Sequence, residues 1–377
     1  MAEKNVTTPA GSEEYVMDRK VGTIAMLISA TGMGLVPLFS RMGTRTDFFD
    51  GSAGLNAGDS VGALMAVGRM GMGILFFVIL MFAMHKVETF KKLKLTPAIA
   101  LGGLMIGMSL ACYVTATLLT TITNSILFIY TGPVICVLLA RIIRKEPMSA
   151  LQWVCLIAVF VGMLFANNII GFGAGAEAID PADYPNKVAG DIAGILSGVF
   201  YGSSMFFNGY RKDADTVARG VWNFIFATIG AGAICIVLNG IGVANASNPE
   251  LANWALNLHL TTFNWIGAVL LWIICGPIAL GFLLLAGRNL PAGDYGTIAY
   301  WEVPVALFIG LVIFGESFTV NTALGAILII GGGMIPAFKG LQADRKAKKA
   351  AKALSNEEAE LVESVEAAEE AEKETLR

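Results

Sequence analysis

Apolar residues occur along this chain in long, nearly unbroken runs. They do not alternate as in a half-buried strand, nor form the narrow stripe of a surface helix. Ten runs stand out, at 21–40, 61–84, 97–119, 122–141, 150–170, 190–210, 219–241, 264–286, 295–314 and 321–338. Each is close to the roughly 20 residues that carry a helix across a hydrocarbon core, so each predicts a transmembrane helix. Polar stretches frame them at 1–20, 171–189 and 339–377. The fold class expected is an all-α polytopic membrane protein with ten transmembrane helices.

The runs also repeat. In 120–161 and in 291–332, small and polar residues lead into an apolar run through a proline (Pro133, Pro304), then a glutamate (Glu146, Glu316), then a second apolar run. Pro133 and Glu146 are 13 positions apart, Pro304 and Glu316 are 12, and each glutamate precedes a glycine, Gly162 or Gly332, by 16. A period near 171 residues is too long for a solenoid and divides the chain into two homologous halves, 21–170 and 190–338, joined by 171–189.

Composition agrees: 55% of residues are apolar and 15% charged, against about 25% charged in soluble domains, and mean hydropathy is +0.68. Lysine and arginine in the loops set the orientation. Residues 1–20, alternate loops and the tail together hold 22 of them, and the opposite loops hold only Arg41, Arg45 and Lys187. Both termini are therefore expected in the cytoplasm, with 171–189 outside. With five spans per half, the second half must insert upside down. The two hairpins, RIIRKEP and FGES, share the glutamate but not the positive charge. Inverted repeats of this kind belong to secondary transporters, with the substrate site near mid-membrane.

Tyr130-Thr-Gly-Pro-Val134 followed by Arg-Lys-Glu146, and Trp301-Glu-Val-Pro-Val305 followed by Phe-Gly-Glu316, resemble the two EamA repeats of the drug/metabolite transporter superfamily. The resemblance covers about residues 21–338. It implies ten helices in two inverted five-helix repeats around a central cavity, and transport of amino acids, nucleosides, sugars or other small metabolites. The outer loops 41–60, 171–189 and 243–263 are longer than that pattern; they read as solvated connectors or as an outer lid. The tail passes from RKAKKAAK to nine glutamates between Glu357 and Glu374. This is the composition of a solvated segment, with a cytoplasmic partner as the second reading.

Ionisable residues inside spans are costly and mark function by default. Arg69 lies in VGRMGMG and either plays a structural part, bonding carbonyls or snorkelling outward, or binds a substrate carboxylate. Glu302 precedes Pro304, where the interrupted ladder frees carbonyls. It suits proton coupling or cation binding, or pairs with Arg69 as a strut. Superposing the repeats matches Tyr130 with Trp301 and Thr131 with Glu302; with Tyr113, Tyr201, Trp272 and Tyr300 these aromatics could wall a cavity suited to cations or aromatic groups. Trp222, Trp254 and Trp265 read as interface anchors. Glu146, Glu316, Asp191 and Asp294 sit near turns or helix starts, where each would cap the helix that follows it. Pro37, Pro133, Pro277 and Pro304 can kink their helices and serve as hinges. Gly32, Gly34, Gly198 and Gly202 suit close packing.

No HExxH, serine–histidine arrangement or Asp/His cluster points to an enzyme, and the five cysteines form no CxxC. The chain asks for no cofactor, metal or nucleic acid. The expectation is a proton-coupled secondary transporter of the inner (plasma) membrane, exporting a small polar or zwitterionic metabolite of the amino-acid or amine kind. An importer, or a receptor or scaffold signalling through the tail, are the alternatives.

Overall fold

A computed structural model of the chain describes residues 19–45, 62–143, 145, 150–166, 170–171, 184–208, 215–252, 254–256, 260–290, 298–299, 301–316, 319–332 and five positions between 334 and 346. Tyr300, Glu146, Asp294 and most of the long loops and the tail lie outside them. The described residues are helical with no strand. An apolar chain in lipid has this solution because each helix satisfies its own backbone.

The first span is two helices, α1 (Arg19–Gly34) and α2 (Val36–Thr44), with Pro37 just inside the second. Next come α3 (Ala63–Ala83), a short α4 (Val87–Lys92) and α5 (Pro97–Leu119). The fourth run divides at Tyr130–Thr131 into α6 (Ile122–Ile129) and α7 (Gly132–Ile143), just ahead of Pro133. The remaining elements are α8 (Ala150–Ala166), α9 (Lys187–Asn208), α10 (Thr216–Ala244), α11 (Pro249–Ala252) and α12 (Thr262–Leu270). From α12 the chain runs through a π-helical stretch, Leu271–Ile278, into α13 (Ala279–Asn289). It kinks there at Gly276, whose ψ is −110°, beside Pro277. Finally α14 (Glu302–Phe308) continues as π-helix over Ile309–Ile313, and α15 spans Val320–Gly332. Helix starts are set by local chemistry. Thr121 accepts from the Asn124 amide, Asp215 from Val217 and Ala218, and Thr261 forms a capping box with Asn264.

Each of the ten apolar runs contains helix among its described residues. Among the described residues, six spans have the length and hydropathy to cross a membrane: Lys20–Thr44, Ala63–Ala83, Pro97–Leu119, Ile122–Ile143, Val217–Ala244 and Thr262–Leu283. Three more apolar helices are shorter: Trp153–Phe165, Glu302–Ile313 and Val320–Gly332. α9 has the length but carries Lys187, Asp191 and a row of glycines that lower its hydropathy. The molecule is thus a helical, membrane-spanning protein.

Glycines set the helix contacts, since lipid offers no hydrophobic drive between helices and close backbone approach must supply it. Along α9, Gly190, Gly194, Gly198 and Gly202 recur one turn apart and lie against the end of α5, then Phe128 and Thr131, then the Gly132 carbonyl. A Cβ at Gly107 of α5 would sit 1.9 Å from the Ala227 carbonyl of α10. α1 packs on α13 and α14, α9 packs on α5, α6 and α7, and α3 runs beside α10 and the π-helical stretch. Two contacts are reciprocal. Gly73 of α3 lies under the ring of Phe224 and Gly220 of α10 under the ring of Phe77, the two rings stacking 5.1 Å apart. Gly162 of α8 faces the Gly325 carbonyl of α15, and Gly332 faces the Cys155 carbonyl.

Candidate functional site

The polar residues predicted inside spans converge on one buried centre. Arg69, a third of the way along α3, is 0% exposed. Its Nε donates to the Cys275 carbonyl at 2.8 Å, beside the Gly276 kink, and its Nη2 meets the Met33 sulfur at 2.7 Å. Nη1 has no partner among the described residues. The carbonyl-bonding half of the sequence expectation is therefore observed, and the snorkelling half is not, because the guanidinium never reaches the surface.

Glu302, at the first turn of α14, is also buried. It accepts a 2.7 Å hydrogen bond from the hydroxyl of Tyr130, which also lies 2.9 Å from the Ala299 carbonyl. Glu302 and Arg69 interact electrostatically but form no ion pair within 4.0 Å among the described salt bridges. Tyr113 of α5 is 0% exposed, its hydroxyl has no partner among the described residues, and it feels the charge of both Arg69 and Glu302. Arg69, Tyr113, Tyr130 and Glu302 thus come from four elements and both halves of the chain.

The other aromatics are dispersed. Trp272 lies with its ring against Gly68 and donates from Nε1 to the Met65 carbonyl at 3.0 Å, next to Arg69 along α3. Tyr201, half-buried on α9, packs over Gly132 where the α6–α7 break occurs. Trp301 is 48% exposed, its Nε1 3.2 Å from the Thr31 hydroxyl, so it does not share the burial of Tyr130, its repeat counterpart. From Pro277 toward Met84 and Val217, with Phe76, Phe77 and Phe282 in its wall, runs a partly open apolar pocket of about 390 Å³ that none of Arg69, Tyr113, Tyr130 and Glu302 lines.

A second cluster closes the end of the molecule where α2 stops, and sequence reasoning missed it. Arg41 was expected in an outer loop; it is instead inside α2 and fully buried. Its Nη2 pairs with Glu316 at 3.0 Å and donates to the Tyr184 hydroxyl at 3.2 Å, its Nε donates to the Thr117 carbonyl at 2.9 Å, and the guanidinium lies 4.4 Å from the Phe314 ring centre. Burial pushes the Tyr184 phenol above its ordinary range, so it stays protonated and faces Glu316 at 3.4 Å. Glu316 accepts from the Ile122 amide at 2.7 Å and the Thr123 amide at 3.2 Å. It caps α6, in the other half, and not its own next helix, where Thr319 accepts from the Thr322 amide. Capping is the right chemistry at Glu316, but on a helix remote in sequence.

Two further expectations are corrected. Asp191 is inside α9, where it accepts from Thr120 Oγ1 at 2.6 Å and pairs with Lys187 at 2.5 Å, and so caps no helix. Trp254 is buried against Leu119 and Leu251 and is not an interface anchor. At the opposite end, Asp215 caps α10 and pairs with Lys86. Burial raises the Asp215 pKa, but the Lys86 ammonium and the two capping amides outweigh it and hold the carboxyl below its usual range.

No family model and no curated protein matches the chain. Among solved structures, one described only as "Crystal structure of protein" is similar at 16% identity with a TM-score of 0.52, covering 87% of this chain and 99% of that one. At that identity the likeness is one of fold alone, and it extends over most of the helical body.

Proposed function

We propose that the protein is a secondary active transporter of the inner (plasma) membrane, of the EamA type in the drug/metabolite transporter superfamily. It moves a small polar or zwitterionic metabolite, amino-acid-like or an amine, by alternating access, with proton-coupled efflux as the direction. The observation that carries this reading is the reciprocal packing of spans from the two halves. Gly73/Phe77 against Gly220/Phe224, and Cys155/Gly162 against Gly325/Gly332, are pairs in which each side offers the other the same surface, as a two-fold axis requires. Both pairs run antiparallel: Gly73 meets Phe224 while Lys86 meets Asp215. α6 and α14 do the same, with Ile122 at Glu316 and Tyr130 at Glu302. Larger contacts exchange as well. α1 on α13 and α14 corresponds to α9 on α5 and α6–α7, with spans 1, 3 and 4 taking the places of 6, 8 and 9. Antiparallel equivalents support an inverted repeat of two five-span halves, the architecture of alternating access.

The polar centre lies where the halves meet, and Arg41, Glu316 and Tyr184 close one end beyond it. Opening that end requires breaking the Arg41–Glu316 pair and the Glu316 cap on α6. Glu302 is the coupling residue, since an isolated carboxylate among apolar helices is expensive to leave charged and its hydrogen bond to Tyr130 joins the two halves. Reconstituted protein is expected to accumulate a labelled metabolite under an imposed pH gradient. Absence of flux for a panel of amino acids, amines, nucleosides and sugars would instead favour the scaffold reading.

A further inference from the structure

Two buried polar atoms at the centre lack partners among the described residues: Nη1 of Arg69 and the Tyr113 hydroxyl. Both side chains are fully enclosed, where an unmade hydrogen bond costs about 1–3 kcal/mol, more for a charged group. The guanidinium is fixed, because Nε and Nη2 are committed to Cys275 and Met33. Beside the kink the packing is not tight: a Cβ at Gly276 would make ordinary contact with the Arg69 carbonyl oxygen and Cγ, at 3.4 and 3.5 Å. The next residue, Pro277, lines the 390 Å³ apolar cavity, as do Phe76 and Phe77, about two turns from Arg69 along α3.

We infer that Arg69 and Tyr113 form a clamp for one carboxylate of the transported molecule, whose apolar part extends toward the cavity. A carboxylate offers two acceptor oxygens, matching a guanidinium N–H and a phenol O–H. A phosphate ester would call for more cations than the single arginine here. Glu302 gives its one described hydrogen bond position to Tyr130 and keeps lone pairs for an ammonium, so an α-amino acid satisfies both ends. The inference rests on the transport reading for its ligand, but it concerns binding and is tested by binding.

The test measures thermal unfolding of the purified full chain with acid/amide pairs: L-phenylalanine and L-phenylalaninamide, L-leucine and L-leucinamide, L-serine and L-serinamide, with uridine, glucose and spermidine as non-acids. At least one acid is expected to stabilise the protein while its amide binds tenfold or more weakly. Tyr113→Phe, which keeps the ring, should weaken that acid at least tenfold and leave the amide unchanged, and Arg69→Lys should do the same. An amide that binds as well as its acid, an acid insensitive to Tyr113→Phe, or no stabilisation by any acid overturns the clamp. Counterflow in proteoliposomes separates the two proposals. Acid-selective binding without counterflow leaves the clamp standing and overturns transport, whereas counterflow without acid selectivity does the reverse.

Discussion

Two buried arginines in this molecule have different company. Each leaves Nη1 without a partner among the described residues. Arg41 otherwise has an ion-pair partner, a phenol, two carbonyls and an aromatic face, whereas Arg69 has one carbonyl and a thioether. The first arrangement is that of a structural contact and the second that of a group waiting for a ligand. Removing one partner of a buried pair strands the other, at a cost of about 3–5 kcal/mol. Arg41→Ala should therefore lower the unfolding temperature much more than Arg69→Lys, read by thermal unfolding in detergent; equal shifts would contradict the contrast. Asp215 gives a pH-dependent case. Its folded carboxyl titrates below its unfolded value, so its contribution is present above about pH 4 and fades as pH falls through the folded pKa. Asn caps a helix as well as Asp, so Asp215→Asn loses only the charge's contribution and should be less stable than the parent at pH 7 by up to about 1 kcal/mol. Stabilities measured from pH 7 down to 3 should converge; a constant gap would contradict the linkage.

At the scale of elements, the packing is made by small residues facing large ones in reciprocal places. A side chain at Gly73 would come within 2.2 Å of Phe224, and one at Gly220 within 2.4 Å of Phe77. Gly73→Val and Gly220→Val should each destabilise by about 1–3 kcal/mol and by similar amounts; a large inequality in unfolding temperature would argue against equivalent surfaces. The helical, membrane-spanning character was legible because a continuous apolar run needs only its length to be read. Arg69 and Glu302 were legible because charge is rare in such runs. The break at Tyr130–Thr131 sits just ahead of Pro133, a visible cause. What was hidden is contact across the chain. Glu316 lies 194 positions from Ile122, so its local motif predicted a cap on the following helix and could not name α6. Arg41 looked like a loop charge because α2 carries helix past the end of the apolar run.

For the molecule as a whole, α6 and α14 tie the two halves together at both ends: Tyr130 to Glu302 at the centre and the α6 amides to Glu316 at the edge. Releasing the outer tie should expose the Arg41 end. In a background with its five cysteines replaced, Thr120→Cys should react faster with a membrane-impermeant maleimide when Glu316→Gln is added; an unchanged rate would mean that the pair does not hold that end closed. The central claim is that a proton on Glu302 is linked to movement of a metabolite through the polar centre. The most direct measurement compares pH-gradient-driven uptake with counterflow, in proteoliposomes of the parent and of Glu302→Gln, whose amide oxygen still accepts from Tyr130. The account predicts that the variant keeps counterflow at saturating metabolite, its amide oxygen still able to accept from the ammonium, but loses gradient-driven accumulation at least tenfold. Full gradient-driven accumulation in Glu302→Gln would contradict it.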